Sequence, residues 1–266
     1  INEFLQSMGE TDEELMKMFM SSALARFQKD DGASQAPENG EKNEGQKFPD
    51  TLPILPLRGV VVYPNTAVPL TVGQPRSVKL VDDVVGGDKL VGLVAALNPE
   101  LETPGPNELY QVGTIATVHR LLRAPDGTIR LLVQGMERFR IEEFVGDEPY
   151  LRARISLIPE TVETNLETSA LARNARDQFQ QITQMIPSFP DELVGSITSL
   201  EDPLQTVYTI ANFQRINLQD AQEILELDSV YEKLKKLIGL LVREAEVLQI
   251  GQKIQNEARG EIEKVQ

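Results

Sequence analysis

The sequence predicts an α+β chain: a small, irregular β-barrel, then an all-α bundle that ends in a long projecting helix. Three observations predict it. The stretch Pro53–Val72 is strongly apolar, with Val60, Val61 and Val62 in a row, yet Pro53, Pro56, Pro64 and Pro69 interrupt it. Proline cannot donate to a sheet ladder, so these strands must be bent or bulged, as in a small barrel. From residue 160 onward the apolar spacing changes to steps of three and four, the period of helices. Ahead of both lies 29–47, whose single weak apolar type is alanine. Such a segment cannot offset its ordering entropy and reads as a flexible linker.

Residues 1–28 hold one helical signal. Thr11-Asp-Glu-Glu14 matches a capping box, and Leu15, Met16, Phe19, Met20, Ala23, Leu24 and Phe27 follow at helical spacing. This amphipathic helix either packs on its own chain or docks on another subunit or partner, for which its adaptable methionines suit it. The linker is set at 29–50 and the β-rich domain at 51–159. Within that domain Val60–Val62, without alternation, read as a strand buried on both faces. Arg58-Gly59 marks a bend. Pro75 suits the first turn of a helix that Gly86-Gly87 stops. Leu90–Leu97 reads as a buried strand and Asn98–Asn107 as a loop. Thr114–Arg123 and Thr128–Gln134 flank Ala124-Pro-Asp-Gly127, the clearest hairpin turn in the chain. Glu137–Val145 and Tyr150–Ile158 alternate and read as half-exposed antiparallel strands, with Gly135 breaking the run before them.

The helical subdomain is set at 160–228. Thr164-Asn-Leu-Glu167 is its first capping box, and Asp191–Leu200 a short helix. Asp202-Pro203 caps another, and Asn217–Asp220 starts a fourth. Ser229-Val-Tyr-Glu232 opens the last helix, 229–266, a rod of about 57 Å whose polar final third is expected to project. It stops in mid-pattern at Gln266, so more protein is expected to follow.

Composition narrows the function. The net charge is −15, divided as −6 over 1–50, −1 over 51–159 and −8 over 160–266. Nucleic acid is therefore an unlikely partner, because no region has the basic excess that phosphates require. No stretch approaches the roughly 20 apolar residues of a membrane span, and the first residues lack a secretory leader. Without cysteine there is no thiol chemistry, and a cytoplasmic location is expected.

Catalytic constellations are missing too. No phosphate-cradling Gly-x-x-x-x-Gly-Lys-Ser/Thr loop occurs. His119, the single histidine, reads as a strand surface residue, and no metal cage is possible from histidine and cysteine. The neighbouring carboxylates Asp82-Asp83 and Glu142-Glu143 point different ways and read as solvated faces. Gly135-Met-Glu-Arg-Phe139 is either core packing or part of an exposed apolar patch.

Leu55-Pro-Leu-Arg-Gly-Val-Val-Val-Tyr-Pro64, Pro69-Leu-Thr-Val-Gly73, Glu108–Ala116, Leu122–Thr128 and Val133-Gln-Gly-Met-Glu-Arg138 occur in order. Together with Asp202-Pro203 and Glu223–Ser229 they resemble the amino-terminal, substrate-recognition region of Lon, the ATP-dependent serine protease, over 51–266. The resemblance implies a PUA-like β domain and a helical bundle whose last helix leads to an ATPase module. It implies binding of unfolded or damaged proteins and assembly into a ring, usually a hexamer. ATP, Mg and the Ser–Lys dyad would then belong to the full-length parent, leaving this stretch without catalytic residues, metal or cofactor. A receptor for non-native chains needs an exposed apolar surface. The expected patch combines Pro53, Pro56, Tyr63 and Pro64 with Met136 and Phe139, apolar residues beside chain-breaking positions. The alternatives are a stand-alone protein-binding module with the same β domain, or RNA binding of the PUA type, which the charge disfavours.

Overall fold

The computed structural model describes residues 48–265 apart from 164, 187, 188 and 215, with side chains described as far as Arg259. The amphipathic helix expected over 11–27, and the linker as far as 47, lie outside the described residues. Phe48 already packs on the apolar core, and the Asp50 carbonyl accepts from Ile155 at 2.8 Å. The last residues assigned to the linker are therefore held.

The described residues form two compact units. The first runs to Pro159 and takes in Asn217–Leu225; the second is Glu160–Ile216 with the residues from Glu226 on.

The first unit is built on six strands: β1 (Thr51–Leu57), β2 (Ala67–Val72), β3 (Leu90–Ala95), β4 (Val112–Arg123), β5 (Ile129–Gly146) and β6 (Arg152–Leu157), with helix α1 (Pro75–Gly86) between β2 and β3. The sheet order is β2-β5-β4-β3-β1-β6, and β6 also pairs with β5, so the ladder returns on itself. The β1–β3 pair is parallel; the others are antiparallel.

The strand buried on both faces is β1; Val61 and Val62 are buried too, but Val60–Val62 is not a strand. Leu52 and Ile54 enter one apolar cluster, with Ile115, Phe139 and Ile141. Leu55 and Leu57 enter the other, with Leu80, Val81 and Val84 of α1. Pro56 is tolerated within β1 because the Ile54 amide points away from β3, to Leu151 at 2.8 Å. Strand alternation places the Pro56 nitrogen on that same side, and the β6 ladder has already ended at Pro53. Val60–Tyr63 is a buried crossing without ladder bonds of its own strand. It is held by Thr114, whose hydroxyl donates to the Val62 carbonyl at 2.6 Å.

Gly135 does not break its strand: β5 runs 18 residues through it. The ladder pairs Ile115 with Glu137 and Ala116 with Gly135, leaving Met136 as the extra residue of a bulge. A Cβ on Gly135 would lie 2.1 Å from the Tyr63 carbonyl oxygen, so glycine is what lets the 63–66 turn cross here. At the β4–β5 hairpin, Gly127 takes φ +86° and the Asp126 carboxylate accepts from Thr128, as the turn chemistry predicts.

The second unit holds α2 (Leu166–Met185), α3 (Asp191–Thr198), α4 (Pro203–Phe213) and α6 (Val230–Val265). The first cap is supplied by Asn165, whose side chain accepts from the Thr168 amide at 2.8 Å. Asp202 caps α4 through the Leu204 amide. Leu234, Leu237, Leu241 and Ala245 of α6 are buried, as are Ala172, Ala175, Phe179 and Ile182 of α2, which packs along it. From Glu246 to Arg259 the α6 side chains are exposed except for half-buried Leu248.

Helix α5 (Leu218–Glu226) departs from the expected division. Its period places it in the helical subdomain, but up to Leu225 it belongs to the first unit. Three side chains secure it there. Tyr63 donates to the Ala221 carbonyl at 3.0 Å. The Gln222 side-chain amide donates to the Val112 carbonyl at 2.9 Å, and Arg138 to the Leu225 carbonyl at 2.8 Å. Arg138 is 1% exposed and also reaches the Pro159 carbonyl at 3.1 Å.

Candidate functional site

The first unit holds a groove of about 850 Å³ between β1 and β2. It exists because β2 pairs only with β5, while β1 beyond Ile54 is paired on its β3 side alone. Two strand edges therefore face open space instead of each other. Both carry a proline there, Pro56 and Pro69, which withholds donors from the edges. The groove's floor is aliphatic, from Leu55, Leu70, Leu80 and Leu131, each no more than 8% exposed.

One wall is α1 with the loop before β6. Arg76 donates to the Asp147 carbonyl, and the Tyr150 hydroxyl donates to Asp83 at 3.1 Å. Lys79 holds the other Asp83 oxygen at 2.8 Å. Hydrogen bonding from Lys79, then from Tyr150, keeps the Asp83 carboxyl below the usual carboxylate range. Burial, followed by the bond to Asp83, raises the Tyr150 hydroxyl above the ordinary tyrosine value. The opposite wall is the 99–104 segment, which brings Pro99, Pro104 and Glu102. Arg58, Arg76 and Arg130 supply the cationic part of the lining.

Of the six residues expected to form a patch, Pro56 lines this groove. Tyr63, Pro64 and Phe139 are buried, which corrects their assignment to an exposed surface. Tyr63 can be buried because its hydroxyl finds the Ala221 carbonyl. Phe139 fills space left by two glycines: a Cβ on Gly92 or Gly113 would approach its ring to 2.9 or 3.0 Å. Pro53 pairs with Arg152 inside the sheet, and Met136 occupies the bulge; both are half-buried and lie outside the groove lining. The six are not brought together. The residues that sequence reasoning missed are Arg58, Arg76, Arg130, Pro69 and Tyr150. Pro69 had a legible signal, since proline inside a strand marks an edge.

The other expected features have structural partners. His119 is exposed, its Nε2 3.2 Å from the Gln134 side-chain oxygen. Asp82 and Glu143 form ion pairs with Arg123 and Arg154. Leu97, Leu122, Val145 and Leu157 are each about half exposed but sit on separate elements. Among the described residues no group of three or more histidine, aspartate or glutamate side chains is placed to hold a metal ion. Among the same residues no helix is long and apolar enough to cross a membrane.

A family model described as the ATP-dependent protease La (LON) substrate-binding domain matches residues 51–243. The chain is 43% identical over 229 residues to the Lon protease of Dictyoglomus thermophilum, covering 86% of this chain and 29% of that protein. It is 33% identical over 230 residues to the Lon protease of Escherichia coli strain K12, covering 86% of this chain and 28% of that protein. It thus spans less than a third of the length of these relatives. Among solved structures, the N-terminal domain of the Mycobacterium avium complex Lon protease superposes with a TM-score of 0.59 at 22% identity, covering 72% of this chain and 98% of that one. The Lon N-terminal domain protein from Xanthomonas campestris superposes with a TM-score of 0.51 at 18% identity, covering 71% and 97%. At those identities the likeness is one of fold.

Proposed function

The chain belongs to the family of the ATP-dependent protease La (LON) substrate-binding domain, and from that premise we propose that the groove of the first unit is where it takes hold of non-native protein chains. The observation that carries this reading is the groove itself, open between two strand edges, where half-buried Pro56, Val60 and Pro69 and exposed Pro99 offer apolar surface. A folded protein hides its apolar side chains, so a groove that presents accessible apolar groups discriminates the non-native state without reading a defined sequence. Each contact is weak, and repetition around a ring of subunits would multiply it.

The self-pairing ladder supports reading the first unit as a PUA-like barrel. The reading assigns ATP, Mg and the Ser–Lys dyad to the part of the Lon relatives that this chain does not span. In the full-length protein the substrates would be unfolded or damaged proteins, and the assembly a cytoplasmic hexamer. Nucleic acid is not among the proposed partners.

The test is fluorescence anisotropy with a permanently unfolded protein and with the same protein folded, titrated with this chain in the absence of nucleotide. Saturable binding of the unfolded form alone is expected. Equal binding of both forms, or of neither, overturns the reading.

A further inference from the structure

We propose that the groove selects apolar segments that carry acidic side chains; this rests on the reading of the groove as the substrate site. Arg58, Arg76 and Arg130 are the basic residues of its lining and Glu102 the acidic one, and of the three arginines Arg58 is the exposed one. The surplus is local, because residues 51–159 have a net charge of −1 and the whole chain −15.

Main-chain pairing cannot supply the selection. The Pro56 nitrogen lies on the side of β1 that faces away from β3, as the Ile54 amide does. Just before β2, the Thr66 carbonyl points to β5, where it accepts from Gly135 at 2.9 Å. Alternation then puts the Pro69 nitrogen on the outer side. Each edge thus lacks a donor at its centre, and strand addition is weakened on both sides of the groove. Recognition falls to side chains, with half-buried Pro56, Val60 and Pro69 for apolar groups and the exposed Arg58 guanidinium for a carboxylate. Arg58 is exposed on the turn that Gly59 makes at φ +72°, so it can reach a ligand without leaving a packed position.

The test uses this 266-residue chain and two unstructured peptides with the same leucine- and valine-rich centre, one flanked by aspartates, the other by lysines. Anisotropy is measured at low and high salt for the parent chain, Arg58→Glu, the double variant Arg58→Glu/Arg130→Glu, and Arg152→Glu as a control outside the groove. The aspartate peptide is expected to bind about tenfold tighter at low salt, with the gap narrowing as salt screens it. Arg58→Glu should remove at least about half of that tenfold ratio on a logarithmic scale, the double variant should abolish or invert it, and Arg152→Glu should leave it. Arg58→Glu decides the matter alone if the double variant fails to fold. Equal binding of the peptides, or a preference unchanged by Arg58→Glu, overturns the inference. If an unfolded protein still binds in that case, the substrate-site reading stands; if neither peptide nor unfolded protein binds, both fall.

Discussion

The hydroxyl of Tyr63 donates a 3.0 Å hydrogen bond to the main-chain carbonyl of Ala221, 158 residues further along the chain. The bond joins the turn between β1 and β2 to helix α5, which the Gln222 and Arg138 side chains also attach to the β-rich unit. An aromatic ring beside a proline, read from sequence as a surface contact, is a structural anchor.

Tyr63→Phe removes that donor, while the Ala221 carbonyl, inside α5, keeps its helical partner. The expected cost is about 1–2 kcal/mol in urea denaturation, with faster amide exchange in α5. Burial also raises the Tyr63 hydroxyl far above its ordinary value. A raised folded-state pKa means stability that is complete below the unfolded value of about 10 and is lost as pH rises beyond it. The parent should therefore weaken above about pH 10, and Tyr63→Phe should weaken less steeply there.

Gly135→Ala should unfold or severely destabilise the first unit, because the added methyl meets backbone at 2.1 Å rather than a movable side-chain tip. A loss above about 3 kcal/mol is expected. Gly146→Ala, with nothing within 4 Å of the new methyl, should change stability by less than about 0.5 kcal/mol. Paired denaturation curves check the contrast; equal effects would refute the crossing at Gly135.

In the second unit Lys233 is 0% exposed, with its ammonium 3.5 Å from Glu160 and 5.0 Å from the ring centre of Tyr208. Tyr208 also hydrogen-bonds Glu160. Lys233→Ala breaks this cluster and leaves a cavity, so a loss of about 3 kcal/mol is expected. Lys233→Met keeps the stem's packing and should cost clearly less. A calorimetric scan of the two variants decides whether packing or the ion pair dominates.

Local chemistry was legible in this sequence. Pro75 and Gly87 bound α1, Asp202 caps α4, and Ala124–Gly127 turns the hairpin as their side chains dictate. What was not legible depends on partners remote in sequence. Arg138 sits in an alternating run and reads as solvent-facing, but its guanidinium is buried by carbonyls 21 and 87 residues away. Lys233 has helical spacing suited to a surface and is enclosed by Tyr208 and Glu160. Helix α5 has the same period as its neighbours, and nothing local to it signals attachment to a sheet. The opening stretch is apolar and proline-broken in sequence and in structure alike. Which of its side chains turn inward is set by Gly92, Gly113 and Gly135, whose missing Cβ atoms make room for Phe139 and for the 63–66 turn.

The most direct test of the account places a photo-crosslinker at Thr71, which is exposed in the groove lining, or at Glu142, which is exposed on β5 outside it. Each protein is illuminated with a permanently unfolded protein, and the adducts are mapped by mass spectrometry. Adducts at position 71, suppressed by excess unlabelled competitor and sparse at position 142, are the predicted result. Equal labelling at the two positions, or labelling at 142 alone, would contradict the groove as the place where non-native chains are held.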